Sequence, residues 1–365
     1  MPSGKKPIVL LWENFGPNHY DRLNAVADAG YDLTAIQIAS KSNMYDWEEG
    51  SSNRFRTVTL AKSHDELTPP ILARKIVAAV GESDARDVFM CHYEFPGVFM
   101  AAGWLRATGR RPYAMIASKF DDYDRKWWRE SGKSVLLKPY CGAIVGSERS
   151  VRYMRFLGLK DAVTGYDTLS VERLRLQNPD AIAEVDGATR PFLVVARLVP
   201  KKNIAFTLEC FAQYVARNGT ARRLEILGDG PLRSELEAKA QALGIAGQVD
   251  FRGLCPTAEV TEAMQRSAAL LLPSIEEQYG LVVIEALASG LPVIASTQCG
   301  ATDVVLDNLV NGFAVASDSH AQMLAAMEAI GTDEATRKRM AAAAYDSAER
   351  GDVRHFVAGL ERLMG

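Results

Sequence analysis

Short apolar runs alternate with amphipathic stretches from one end of this chain to the other. PIVLLW, YDLTAIQIA, DVFMCHY, PYAMIAS and GAIVGS recur over the first part; PFLVVARL, RRLEILG, QVDFRG, AALLLPS and LPVIAS recur over the second. Continuous apolar runs of this length fit parallel strands buried on both faces. The intervening segments read as helices. In NHYDRLNAVADAGYDL, Asn18 is placed as the N-cap, Leu23, Val26 and Ala27 form the apolar stripe, and Gly30 is the terminator. Others are expected in FTLECFAQYVARNG, in PLRSELEAKAQALG, around Glu285, and throughout Ala335–Met364 with Gly351 as the main interruption. Such βαβα alternation predicts an α/β chain with parallel sheets covered by helices. GYDTLSVERLRLQNPDAIAEVDGATRP, over residues 165–190 and on to Pro191, is polar and lacks an apolar period, so it reads as a linker. At 365 residues the chain has room for two domains. Two open sheets facing each other would set their strand-end loops across one central cleft.

Composition excludes several classes. The chain is 48% hydrophobic and 24% charged, as ordinary globular proteins are. No apolar run approaches the ~20 residues of a membrane span, and MPSGKKPIVLLWENFG lacks a signal-peptide cleavage pattern. Cys91, Cys141, Cys210, Cys255 and Cys299 are scattered, without metal-ligand spacing, and predict reduced thiols in a cytoplasm. A net charge of −3 argues against nucleic acid as a partner. Residues 1–170 carry 23 Lys and Arg against 20 Asp and Glu, and the remainder 19 against 25. That asymmetry permits a mildly basic N-terminal half at the inner face of a membrane; ordinary surface variation explains it as well.

The chemistry is sought just after the strands. Arg197 and Lys202 leave the end of PFLVVA five residues apart and could clamp a diphosphate, or stand as solvated loop charges. In IEEQYGLVVIEALA, Gly280 opens a helix whose first N–H groups, on Gly280, Leu281 and Val282, could face an anion. Glu277 lies in the loop before that helix. Glu285 is placed in its second turn, as a charge within an apolar run. It either accepts hydrogen bonds from a pair of hydroxyls or is satisfied by a buried neighbour.

Glu277-x7-Glu285, within PSIEEQYGLVVIEALASGLPVIAS, resembles the signature of retaining GT-B glycosyltransferases, specifically glycosyltransferase family 4, the "glycosyl transferases group 1" proteins. VARLVPKKN, ILGDGPLRSELE, VDFRG and CGATDVVLDNLVNG follow in the family's order. The resemblance is dense over roughly residues 190–315, and the N-terminal half matches only in outline. It implies a GT-B fold of two Rossmann-like domains: residues 1–170 on the acceptor side, rejoined by a helix at about 346–365, and residues 171–345 binding the donor. It implies a nucleoside-diphosphate sugar donor, no metal or other cofactor, and a glycan or lipid-linked acceptor. Arg197 and Lys202 would bind the diphosphate. Tyr279, Gly280, Leu281 and Val282 would line the donor site, Glu285 would hold the ribose, and Glu277 the transferred sugar. Gly16 would let the first domain approach the phosphates.

Several positions depart from that pattern. Only FGPNHY stands where the family often has Gly-Gly, and SKFDDYD where it often has a histidine; His19 and His92 are the candidate substitutes. Asn203 and Asp303 replace the customary Gly and Glu. FDDYD could be an Asp-x-Asp metal motif, but reads better as a solvated acidic loop. RKWWRE suits an interfacial surface, a glycan platform or core packing equally. Three rival functions stand beside transfer: a GT-B nucleotide-sugar epimerase, a donor-binding but inactive partner subunit, and, last, a nicotinamide dehydrogenase. For the last, GDG at Gly228–Gly230 falls short of GxGxxG.

Overall fold

The computed structural model describes residues 6–40, 53–176, 187, 189–219 and 222–365. The chain divides into two compact units, Met1–Leu169 with Val353–Gly365, and Ser170–Asp352. The first holds β1 (Pro7–Trp12), α1 (Pro17–Asp28), β2 (Asp32–Ala39), β3 (Arg56–Ala61), α2 (Pro69–Gly81), β4 (Asp87–Met90), α3 (Pro96–Ala107), β5 (Arg111–Ile116), α4 (Trp127–Leu136), β6 (Ala143–Val145), α5 (Glu148–Phe156) and β7 (Ala162–Thr164). The second holds α6 (Val171–Leu176), β8 (Phe192–Val195), α7 (Ile204–Asn218), β9 (Leu224–Leu227), α8 (Arg233–Ala242), β10 (Val249–Gly253) and α9 (Thr257–Arg266). It continues through β11 (Ala269–Leu272), α10 (Val282–Ala288), β12 (Val293–Ser296), β13 (Gly312–Val315), α11 (His320–Thr332) and α12 (Glu334–Ser347). Helix α13 (Arg354–Met364) then belongs to the first unit.

Each unit is one parallel sheet, ordered β3-β2-β1-β4-β5-β6-β7 in the first and β10-β9-β8-β11-β12-β13 in the second. The central strand of the first shows why its sequence is apolar throughout. Ile8, Leu10 and Trp12 point to one face, against Leu23 and Val26 of α1 and Phe356, Leu360 and Met364 of α13. Val9 and Leu11 point to the other, against Ile76 and Val80 of α2 and Val98 of α3. Each large side chain so buried contributes about 1.5–3 kcal/mol by area. Gly359 lets α13 lie close to the sheet: a Cβ there would come within 2.7 Å of Ile144 Cδ1.

Two expectations are corrected. The N-cap of α1 is Gly16, not Asn18, because Pro17 occupies the first helical position with a fixed φ. The linker read over residues 165–190 starts with a folded helix, α6, with Val171 and Leu174 buried; residues 177–186 and 188 of that stretch lie outside the described residues. The C-terminal helical stretch is interrupted where expected, at Ala348–Gly351, a 3-10 turn whose Gly351 abuts Ile284. Asp352 then leaves the helix and accepts the Val171 N–H at 3.1 Å. Among the described residues, no helix is long and apolar enough to cross a membrane.

In an open parallel sheet, ligands bind beyond the carboxyl ends of the strands where the order reverses. Those points are β1/β4 in the first unit and β8/β11 in the second.

Candidate active site

In the second unit, the reversal point brings together the loops after β8 and β11, which carry Arg197, Lys202 and Glu277. The Lys202 ammonium pairs with Glu277 Oε2, and both side chains are largely shielded from solvent. Ser274 Oγ donates to the same carboxylate oxygen at 3.0 Å. Ser274 is itself fixed, its carbonyl accepting from Ser296 Oγ at 2.6 Å. The ammonium–carboxylate pair is therefore positioned by two strand ends and a buried serine, not by chance contact of loop charges. Arg197, by contrast, is exposed at the mouth of the loop.

Lys202 owes its place to Asn203, which adopts the left-handed conformation (φ 57°, ψ 35°). Glycine suits that region, and asparagine is among the few other residues that visit it at little cost. The Asn203 amide donates to the carbonyls of Ser317 at 2.8 Å and Pro273 at 3.2 Å, so the substitution for glycine adds two ties. The GDG triplet has a similar task. Gly228 has φ +130°, and a Cβ on it would overlap the Ala196 carbonyl oxygen; one on Gly230 would lie 2.6 Å from the Leu198 oxygen. Leu198 N–H donates to Asp229 O at 2.9 Å. These glycines bring the Arg197 loop down onto the loop after β9, and that packing accounts for the motif without a dinucleotide.

Gly280 has φ +93°, and its would-be Cβ meets Cys299 Sγ at 2.9 Å, so glycine is required there on two counts. Tyr279 is buried, its carbonyl accepting from Cys299 Sγ at 2.7 Å and Ala301 N–H at 2.9 Å. Leu281 is the N-cap of α10, and Val282 its first residue. Glu285 falls in the first turn, not the second, and is half-buried between fully buried Ile284 and Ala286. With seven residues, α10 carries only a short macrodipole.

In the first unit, the reversal point gathers Gly16, His19 and His92 with Glu13 and His64, two residues the sequence reading did not single out. His19 is the third residue of α1, and its Nδ1 accepts the Gly16 N–H at 2.9 Å. Gly16 N–H is therefore committed to the helix cap. Burial first, then the charges of Arg22 and His92, hold the His19 pKa well below 6.5. An imidazole neutral in the fold but free to charge when unfolded contributes stability that is full above pH 6.5 and declines as pH falls below it. Asp167, raised to about 6 by burial against the opposing pull of Arg22, changes stability in the opposite direction. His19→Gln isolates the histidine effect. Its urea midpoint should fall less than the wild type's between about pH 7.5 and about pH 5.5; parallel losses would refute the assignment.

His92 sits at φ 59°, an uncommon conformation for a residue of its size. Its ring stacks on Phe95 at 4.8 Å. Its Nδ1 lies 3.3 Å from Glu94 Oε1 and its Nε2 3.7 Å from Glu13 Oε2. Glu13 also meets His64 Nε2 at 2.9 Å.

Residues 181–347 match the family described as glycosyl transferases group 1. That region spans most of the second unit and under half of the chain. The alpha-D-kanosaminyltransferase of Streptomyces kanamyceticus is 28% identical over 180 residues, 47% of this chain and 45% of that protein. The putative colanic acid biosynthesis glycosyltransferase WcaL of Salmonella typhimurium is 26% identical over 267 residues, 69% of this chain and 63% of the relative. The chain thus spans less than two thirds of these relatives' lengths. Among solved structures, Anabaena HepE in complex with UDP is similar with a TM-score of 0.73 and 15% identity, over 98% of both chains. Trehalose-6-phosphate from E. coli bound with UDP-2-fluoro glucose, as that structure is described, gives 0.74 at 13% identity, over 98% of this chain and 99% of that one. Two parallel-sheet α/β units with these neighbours establish the GT-B fold. The group 1 match with these relatives supports a GT-B glycosyltransferase.

FDDYD lies largely at the surface, as read, with Asp121 and Asp124 exposed, but Asp122 turns inward and two of its carboxylates are paired. Asp122 is buried with its Oδ1 2.6 Å from Lys119 Nζ, and Asp121 Oδ2 lies 2.6 Å from Arg149. No group of acids, histidines or cysteines arranged to hold a metal ion occurs among the described residues.

Proposed function

We propose that this chain transfers a hexose from a nucleoside-diphosphate sugar to a glycan or lipid-linked acceptor, with retention at the anomeric carbon and without a metal. The observation that carries the reading is the shielded Lys202–Glu277 pair, held by Ser274 at the β8/β11 reversal point of a unit matching group 1 glycosyltransferases. A diphosphate competes with Glu277 for the Lys202 ammonium. Once it does, the carboxylate is released to accept hydroxyl donors from the sugar. Arg197 supplies a second, bidentate cation to the same phosphates. Gly280, Leu281 and Val282 offer backbone N–H groups, Tyr279 keeps their loop in place, and Glu285 receives the ribose hydroxyls. UDP in HepE supports a nucleotide ligand for such a fold.

In the transfer step, the bond from the anomeric carbon to the β-phosphate oxygen breaks, and a bond to the acceptor oxygen forms on the same face. The acceptor proton passes to the departing phosphate. Negative charge grows on that phosphate, and fixed cations there lower the barrier. His92, between Glu13 and Glu94, is the first unit's candidate for contacting acceptor or sugar hydroxyls. His19 is less suited, since its Nδ1 is used in the cap. Cell-surface polysaccharide or glycoconjugate synthesis in the cytoplasm, at the inner membrane face, fits this chemistry.

A thermal-shift screen with UDP, GDP and ADP sugars, followed by product analysis with and without acceptor, tests the reading. Ligand-dependent stabilisation and acceptor-dependent release of nucleoside diphosphate are expected. Donor isomerised without acceptor would show an epimerase instead, and binding without turnover across the panel an inactive subunit.

A further inference from the structure

Residues 119–133 are folded inside out. Lys119 is 0% exposed and Asp122 3%, while Trp127 is 80% exposed and Trp128 54%. Phe120, Tyr123 and, on α5, Phe156 are exposed as well. Charges normally take the solvent side of such a segment and large aromatics the core. The inversion is built, not accidental. Lys119 N–H and Nζ both donate to Asp122, at 2.9 and 2.6 Å. Arg125 donates to Tyr153 Oη at 3.1 Å, Lys133 to the same oxygen at 2.9 Å, and Tyr153 donates to Glu130. The Lys119–Asp122 and Tyr153–Glu130–Lys133 ties run inward and give the exposed aromatic rings a fixed base.

The rings continue onto α5. Phe120 meets Phe156 edge-on at 5.8 Å, and a depression of about 420 Å³ lies among Phe120, Asp121, Arg149, Arg152, Tyr153 and Phe156. Over residues 119–138 and 148–156, Lys126, Arg129, Lys138, Arg152 and Arg155 are exposed, against the exposed acids Asp121, Asp124 and Glu148. Asp121 is already neutralised by Arg149. Trp and Tyr favour the headgroup level of a bilayer, and basic side chains are drawn to anionic lipid. We infer that this face of the first unit docks on an anionic lipid bilayer, with Trp127, Trp128 and Phe156 entering the headgroup layer and Arg152, Arg155, Lys126 and Arg129 meeting lipid phosphates. The excess of exposed basic side chains beside the aromatics, five against three acids of which one is paired, favours an anionic lipid surface as the occupant. The surface exists whether or not the chain transfers a sugar.

The test is co-sedimentation of the full chain with phosphatidylglycerol–phosphatidylcholine vesicles and with phosphatidylcholine alone, read together with tryptophan emission. Binding is expected only with the anionic vesicles, with a blue shift in emission and weakening as salt is raised. Arg152→Gln with Arg155→Gln should lower partitioning about thirtyfold, at roughly a factor of five per basic side chain. Trp127→Ser with Trp128→Ser should abolish the blue shift while circular dichroism stays unchanged, since both rings are exposed. Absence of binding, equal binding to phosphatidylcholine alone, or indifference to both double variants would overturn the proposal. So would a self-associating chain that Trp127→Ser renders monomeric, or quenching by soluble oligosaccharide without vesicle binding.

Discussion

Lys202→Ala should lower kcat/KM for sugar transfer by about two to three orders of magnitude, the usual loss when one fixed donor to a developing oxyanion is removed. The fall should lie mainly in kcat, because the charge Lys202 meets grows as the leaving phosphate departs. The substitution also strands Glu277, whose side chain is only 13% exposed. A largely buried carboxylate without its cation costs about 1–3 kcal/mol of stability. Nucleotide affinity and urea midpoint therefore have to be measured beside turnover. Glu277→Gln separates the two effects: it removes the ion pair but keeps the shape, and Ser274 can still donate to its amide oxygen. If Lys202→Ala and Glu277→Gln both turn over at wild-type rates, the pair is structural and the transfer reading fails at this site.

Gly228→Ala is expected to destabilise the second unit by about 2–6 kcal/mol, as backbone strain of about 1–3 kcal/mol combines with overpacking of similar size. A side chain at φ +130° is strained before any contact is considered, and its Cβ would also be driven into the Ala196 carbonyl. Since Ala196 is followed by Arg197, relief of that overlap moves the loop that bears the exposed cation. Loss of nucleotide binding should accompany the loss of stability. Gly244→Ala is the control: φ is +72° there too, but nothing lies within 4 Å of a built Cβ. It should cost only the strain of about 1–2 kcal/mol. Equal urea midpoints for the two variants would show that the close approach at Gly228 carries no energy.

The buried strands were legible because two covered faces leave a continuous apolar run. The strands missed in the sequence, β3, β7 and β13, all lie at sheet edges. In β3, Arg56, Thr57 and Thr59 face solvent, so the run that marks a central strand is broken. The charged members of the site were found from their spacing after strands. Ser274 was not, although it lies three residues before Glu277, since nothing in a serine's neighbours says which way its hydroxyl turns. Glu13 and His64 were missed for a different reason: they are 51 positions apart and meet only because β1 and β3 run parallel in one sheet. The aromatic–basic stretch around Trp127 left core and surface readings open. Burial of Lys119 and Asp122, which composition cannot express, decided between them.

Asn203 has one further consequence, for anyone recombining this unit with its relatives. Its amide reaches across to main-chain oxygens, those of Pro273 and Ser317, and to no side chain. What it constrains is the path of two other loops, while their residue identities stay free. Chimeras that exchange the letters of those loops should keep the lysine in position, whereas a single inserted or deleted residue in either would cut it adrift. Loop length, more than loop sequence, is the heritable quantity here.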